Sequence, residues 1–85
     1  MRPFDHKNYH RNEDRITGDD SPCVVCGKGV KDRPGVLWVC VVDGGATYGV
    51  AGTSEGDAGY MGYFPVGPTC TKKHRVFWRG LGYAV

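Results

Sequence analysis

Two short fragments constrain this chain more than anything else in it: PCVVCGKG at 22–29 and GPTCTKKH at 67–74. The first holds Cys23 and Cys26 two residues apart, with Gly27 directly after them. The second holds Cys70 and His74 at i, i+4. A Cys-x2-Cys turn brings two thiolates close enough to grip one tetrahedral ion. A glycine after the second cysteine lets the backbone turn beneath that ion without a Cβ clash. On a helix, positions i and i+4 share a face, so Cys70 and His74 can supply the other two corners. Gly67-Pro68 suits the start of such a helix, because proline at the first helical position lacks only an N–H that is not needed there. Cys70 then falls in the first turn, where the positive end of the helix favours a thiolate.

The energetics ask for a staple independently of the motif. A chain of 85 residues is one domain at most. Its fourteen glycines raise the entropy cost of ordering the backbone. The strongly apolar residues gather only in VLWVCVV (36–42) and VFWRGL (76–81). Domains so small bury a poor share of their surface and commonly rely on a disulfide or a metal. The four cysteines allow either two disulfides or a metal site. Disulfide frameworks belong to secreted chains. The opening MRPFDHKNYHRNED lacks the apolar core of a secretory leader, and no run approaches the length of a membrane span. A reducing cytoplasm is therefore the expected setting, and there close cysteine pairs act as metal ligands; a leaderless secreted chain is the alternative.

The expected metal ligands are Cys23, Cys26, Cys70 and His74. Three thiolates and one imidazole fit structural Zn2+ and fill its tetrahedral shell. Such a donor set disfavours magnesium and calcium, and an iron–sulfur cluster usually wants four cysteines. Cys40 competes with His74 for the fourth position. It sits within VLWVCVV, however, where a cysteine most often acts as a small buried hydrophobe.

Along the chain, residues 1–20 are polar and carry only Phe4, Tyr9 and Ile16 as large apolar anchors. A flexible polar arm is expected there, followed by a zinc-binding domain over 21–85. His6 and His10 stand at helical spacing in that arm, without the further ligands a metal needs. Val36 to Val42 predicts a strand, Asp43-Gly44-Gly45 a tight turn, and Ala46 to Ala51 the returning strand. Gly52 to Gly59 predicts a loop, and Tyr60 to Val66 a third strand that Pro65 confines to an edge. Cys70, His74, Phe77, Trp78 and Leu81 then mark one face of a single C-terminal helix. The predicted fold is a small α+β domain with a zinc knuckle, a hairpin of two to three short antiparallel strands, and that helix. Trp38, Val39, Val41, Phe77 and Leu81 are the expected core.

A Cys-x2-Cys-Gly knuckle, a β-hairpin, and a helix whose first turns carry the last two ligands resemble the treble-clef class of zinc fingers. The resemblance rests on CVVCGKG (23–29) and GPTCTKKH (67–74). It departs from the more usual second Cys-x2-Cys pair by having Cys-x3-His, which leaves the subclass open. The whole also resembles small zinc-finger proteins of unknown role encoded by bacteriophages and their bacterial hosts. That resemblance implies a host cytoplasm and a phage-encoded modulator of a host machine.

A closed site of this kind has no open position for water, so it is expected to be structural, and the protein a binding module rather than an enzyme. No phosphate-binding loop, dinucleotide fingerprint or serine-nucleophile motif occurs, and no histidine outside the expected zinc site lies on a rigid element. The net charge is +2, but its distribution is uneven. Residues 58–85 carry Lys72, Lys73, Arg75 and Arg79 and no acid. With Lys28, Lys31 and Arg33 near the knuckle, these form the candidate binding surface. Tyr48, Tyr60, Tyr63, Phe64, Trp78 and Tyr83 exceed what so small a core is expected to bury, and aromatic rings are enriched where proteins dock. A protein partner is therefore the first expectation, and a nucleic acid held by the basic helix face the alternative. Neither a membrane nor a small-molecule substrate is expected.

Overall fold

A computed structural model describes residues 3–16, 18–45, 47–52, 56 and 59–85. In chain order the elements are α1 (His6–Glu13), β1 (Ser21–Pro22), β2 (Gly29–Val30), β3 (Leu37–Val42), β4 (Thr47–Tyr48), β5 (Gly62–Val66), α2 (Pro68–Lys73) and α3 (Arg75–Gly80). The class is α+β, with two antiparallel sheets and short helices around them.

The smaller sheet is the knuckle. β1 and β2 pair with Ser21 opposite Val30 and Pro22 opposite Gly29. The turn between them is closed by Cys23 N–H to the Lys28 carbonyl at 2.8 Å and Gly27 N–H to the Cys23 carbonyl at 2.8 Å. Gly27 has φ +79° there, a conformation that a side chain disfavours.

The larger sheet has the order β4-β3-β5. The β-branched run from Leu37 to Val42 makes β3 the central strand. β5 pairs with it from Leu37 opposite Val66 to Val41 opposite Gly62. Because β5 pairs on one side only, Pro65 stands on an edge strand as its missing N–H requires. The turn at Asp43, Gly44 and Gly45 runs through φ of 55°, 65° and 100°. β4 is shorter than the expected Ala46–Ala51 strand, and Ala46 lies outside the described residues. Most of the expected 52–59 loop also lies outside them.

Beyond Val41 and Tyr48, the ladder between β3 and β4 is completed by a side chain. The Tyr83 hydroxyl accepts from Cys40 N–H at 3.0 Å and donates to the Gly49 carbonyl at 2.8 Å. Gly49 N–H donates to the Cys40 carbonyl at 2.9 Å. A phenol from the C-terminal segment thus stands where a direct backbone bond would otherwise run.

Two features differ from the sequence expectation. The single C-terminal helix is two short helices that meet at His74, whose φ and ψ are −113° and 29°. The Cys70 carbonyl at the break accepts both the His74 N–H, at 3.1 Å, and the Trp78 indole N–H, at 3.3 Å. The segment expected as an unstructured arm carries α1, capped by the Asp5 carboxylate, which accepts from Asn8 N–H at 3.2 Å. Polar contacts seat it on the knuckle. Asp5 N–H donates to the Val25 carbonyl at 2.9 Å, and the Asn12 amide donates to the Cys26 carbonyl at 2.9 Å.

The core joins Val25 and Val30 of the knuckle to Val39, Val41, Tyr48, Val66, Trp78 and Tyr83. Trp78 is fully buried and meets Tyr48 and Phe77 edge-on at centroid distances of 5.1 and 5.2 Å, an arrangement that aligns ring edges with ring faces. Phe77 and Leu81 pack against this cluster half-buried. Trp38 does not join it. Adjacent strand residues point to opposite faces: Val39 and Val41 face the cluster, whereas Trp38 shares the other face of β3 with Cys40 and Val42, which are buried outside it.

Candidate metal centre

Cys23, Cys26 and Cys70 come together, with their Sγ atoms all within 4.8 Å of one another. Tetrahedral zinc thiolates, with Zn–S near 2.3 Å, place their sulfurs about 3.8 Å apart. The observed grouping is therefore a small side-chain adjustment from closing around an ion. All four cysteines are free thiols. The three could ligate a metal ion.

Each reaches the cluster for a local reason. Cys23 follows β1 and Cys26 ends the tight turn, so the knuckle itself presents two sulfurs on one side. Cys70 lies in the first turn of α2, which begins at Pro68 after Gly67. Thr71 closes that turn with its N–H and hydroxyl on the Gly67 carbonyl, at 2.8 and 2.9 Å. Gly67 N–H then points inward and donates to Cys23 Sγ at 3.2 Å. An N–H aimed at a sulfur stabilises the thiolate, and it ties the end of β5 to the knuckle.

The electrostatics of the trio favour a cation. The Cys23 thiol is held down at about 5. The main cause is the hydrogen bond from the Cys70 thiol; burial opposes it, and the N–H groups of Gly67, Cys26 and Val25 add to it. The Cys70 thiol is pushed up, first by its hydrogen bond to Cys23, then by burial and the negative charge of Cys23. One sulfur ionises at the expense of its neighbour. A positive charge between these two sulfurs would stabilise both as thiolates at once.

His74 stands at the junction of α2 and α3, half-buried, outside the group of three. It lines a cleft of about 400 Å³ with Cys26, Cys70, Lys73, Phe77 and residues 3–5. Its imidazole pKa is lowered, first by burial and then by Lys73, against the opposite pull of Cys23. Cys40 lies elsewhere. It is 1 % exposed in β3, with the Tyr83 hydroxyl 3.7 Å from its sulfur.

The basic residues do not form one surface. Lys31, Arg33, Lys72 and Arg75 line a common groove. Lys73 faces the cleft beside the cysteines, and Lys28 lines a separate shallow hollow with Asn12 and Arg15. Arg79 Nε donates to the Val85 carbonyl at 2.7 Å. Of the aromatic rings expected in excess, Tyr48, Trp78 and Tyr83 are buried. The Gly67 N–H and the Asn12 amide escape sequence reading, because backbone and amide donors carry no periodicity. The Gly-Pro before Cys70 is the only signal that bears on Gly67.

Comparison with protein-family models, with curated proteins and with solved structures finds no match. Among the described residues no helix is long and apolar enough to cross a membrane.

Proposed function

We propose that this is a zinc-stapled binding module of treble-clef type. Cys23, Cys26 and Cys70 supply three thiolates, and His74 supplies the fourth ligand from the adjoining cleft. The observation that carries this reading is the convergence of three thiols from two segments more than forty residues apart, with a backbone N–H already aimed at one sulfur. Cys40 is left to the core. Sulfur-rich tetrahedral ligation suits Zn2+. Because binding assembles β1, β2 and α2 at one point, its free energy contributes directly to folding. With the shell filled by protein, the site is structural, and the protein acts by binding rather than by catalysis. A protein partner keeps the support of Phe4, Met61, Tyr63 and Val76, which stay exposed.

Native mass spectrometry of protein purified without chelator tests the site. One zinc is expected in the wild type, retained in Cys40→Ser, weakened in His74→Ala and lost in Cys70→Ser. Zinc retained at full occupancy in Cys70→Ser, or lost in Cys40→Ser, would overturn the ligand set.

A further inference from the structure

The cations that flank the knuckle converge on a different face from the cysteines. A groove of about 1020 Å³ runs between the loop after β2, the start of β3, and α2. Lys31 and Arg33 line it from the loop after β2, Lys72 and Arg75 from α2 and the start of α3, and among the described residues Asp20 is the one acidic lining residue. Among the described residues none of these four cations has an ion pair. They are solvent-exposed. Four positive charges without an ion pair that line one depression repel each other, and an anionic ligand relieves that repulsion. The groove is as large as the upper end of small-molecule pockets, roughly 300–1,000 Å³, so it accommodates a segment of polymer.

Trp38 supplies the second observation. It lies in the same groove. It is half-buried, does not belong to the core cluster, and meets no other aromatic ring among the described residues. A tryptophan in a small domain normally joins the core, as Trp78 does. Here a broad apolar ring stands beside four cations instead. Channels for single-stranded nucleic acid combine these same parts: cations that follow the phosphates and a ring on which a base stacks.

We infer that this groove binds single-stranded nucleic acid, with Lys31, Arg33, Lys72 and Arg75 on the phosphates and Trp38 beneath a base. Phosphate contacts and base stacking read neither sequence nor sugar, so binding is non-specific in both. A single strand engages both features, the cations through its phosphates and the half-buried ring through a base, whereas acidic side chains of a protein segment satisfy only the cations. The inference names a partner for the proposed module, and it depends on the metal only for holding α2 against the knuckle.

The test is a titration of zinc-loaded protein with fluorescein-labelled dT10, followed by anisotropy and by tryptophan emission, over a salt series. Trp78 is fully buried, so quenching reports on Trp38. Four phosphate contacts to a single strand predict a slope of log K against log salt of about −3, or a roughly 50-fold loss of affinity between 50 and 200 mM. Lys72→Glu/Arg75→Glu, on an exposed face, should weaken binding by more than tenfold and flatten the slope. Trp38→Ala should weaken it by about tenfold, and Trp38→Phe should restore most of the loss. Absence of saturable binding at 50 mM salt overturns the inference. Polyglutamate bound as tightly as dT10, with Trp38→Ala without effect, also overturns it and assigns the groove to an acidic protein segment. Metal content measured on the same samples separates the two readings. Protein without zinc that still binds dT10 upholds the groove and removes the zinc, whereas zinc-loaded protein that ignores dT10 removes only the groove.

Discussion

Gly27→Ala places a methyl group where the backbone of α1 already lies. A Cβ built at Gly27 would come within 2.3 Å of the Tyr9 carbonyl oxygen and 2.8 Å of its Cα. Those atoms belong to a helix backbone, so the whole element must move. Moving it breaks the Asn12–Cys26 and Asp5–Val25 hydrogen bonds that seat α1 on the knuckle. The substitution also forces alanine to φ +79°, at roughly 1–2 kcal/mol. Gly35 provides the control, with φ +91° and nothing within 4 Å of its added Cβ. Gly35→Ala carries the backbone term alone. Gly27→Ala carries that term plus two hydrogen bonds at about 1 kcal/mol each. The expected difference between the variants is therefore about 2 kcal/mol, read as a shift in urea midpoint at constant slope. Amide exchange should report the same event locally, with protection over 9–13 lost in Gly27→Ala and kept in Gly35→Ala. Asn12→Ala removes one of the bonds without touching the knuckle, and combined with Gly27→Ala it should fall short of additivity because both act through one docking. Equal midpoints for Gly27→Ala and Gly35→Ala, with exchange over 9–13 unchanged, would refute the docking of α1.

Tyr83→Phe leaves the Cys40 N–H and the Gly49 carbonyl without their shared partner, which should lower stability by about 1–3 kcal/mol in a denaturant titration. Burial is the main cause that pushes the Tyr83 phenol up to about 12 from 10.0. A raised folded-state value stabilises the protein fully below pH 10 and loses that contribution as pH rises through about 12. Phenolate absorbance at 295 nm should accordingly lose part of its late-titrating amplitude in Tyr83→Phe. Stripping the metal with a strong chelator should reduce far-ultraviolet ellipticity and near-ultraviolet aromatic signal together, and zinc should restore both; full retention of both signals would contradict a structural site. Cys40→Ser should keep its metal while losing about 1–3 kcal/mol, because a hydroxyl then replaces a thiol in a buried position.

What the sequence made legible was what repeats with a period or has a fixed chemical spacing. VLWVCVV marked the central strand because β-branched residues crowd it. Pro65 marked an edge because it cannot donate to a second neighbour. The two cysteine fragments could be matched because Cys-x2-Cys and a helical Cys-x3-His each present two candidate ligands at a fixed spacing. Periodicity failed at His74, where Cys70, Phe77 and Trp78 still read as one helical face although the axis breaks between them. The break is held by the Trp78 indole on the Cys70 carbonyl, a bond that no pattern of apolar residues reports. Trp38 was misplaced because hydrophobicity says that a ring prefers burial, not which side of a strand holds the core. α1 was missed because it attaches through carbonyls of the knuckle and not through an apolar stripe. Of the seven candidate cations, four share a groove, a grouping that their positions in the chain do not report.

The Tyr83 hydroxyl in the sheet also bears on how the chain reaches its native form. Cys40 and Tyr83 are 43 residues apart, Cys23 and Gly67 are 44 apart, and Pro3 and Tyr48, joined by the tyrosine hydroxyl, are 45 apart. These three ties define long, overlapping loops that together span the chain. Closing a flexible loop of that length costs about 3 kcal/mol in entropy beyond a constant. Because the loops overlap, closing one shortens the search for the next. An ion that gathers Cys23 and Cys70 early would close the middle loop first and bring the other two pairs of ends nearer. No half of the chain contains both partners of every tie, so fragments cut near the middle should not fold alone, and folding should be slow for a protein this small.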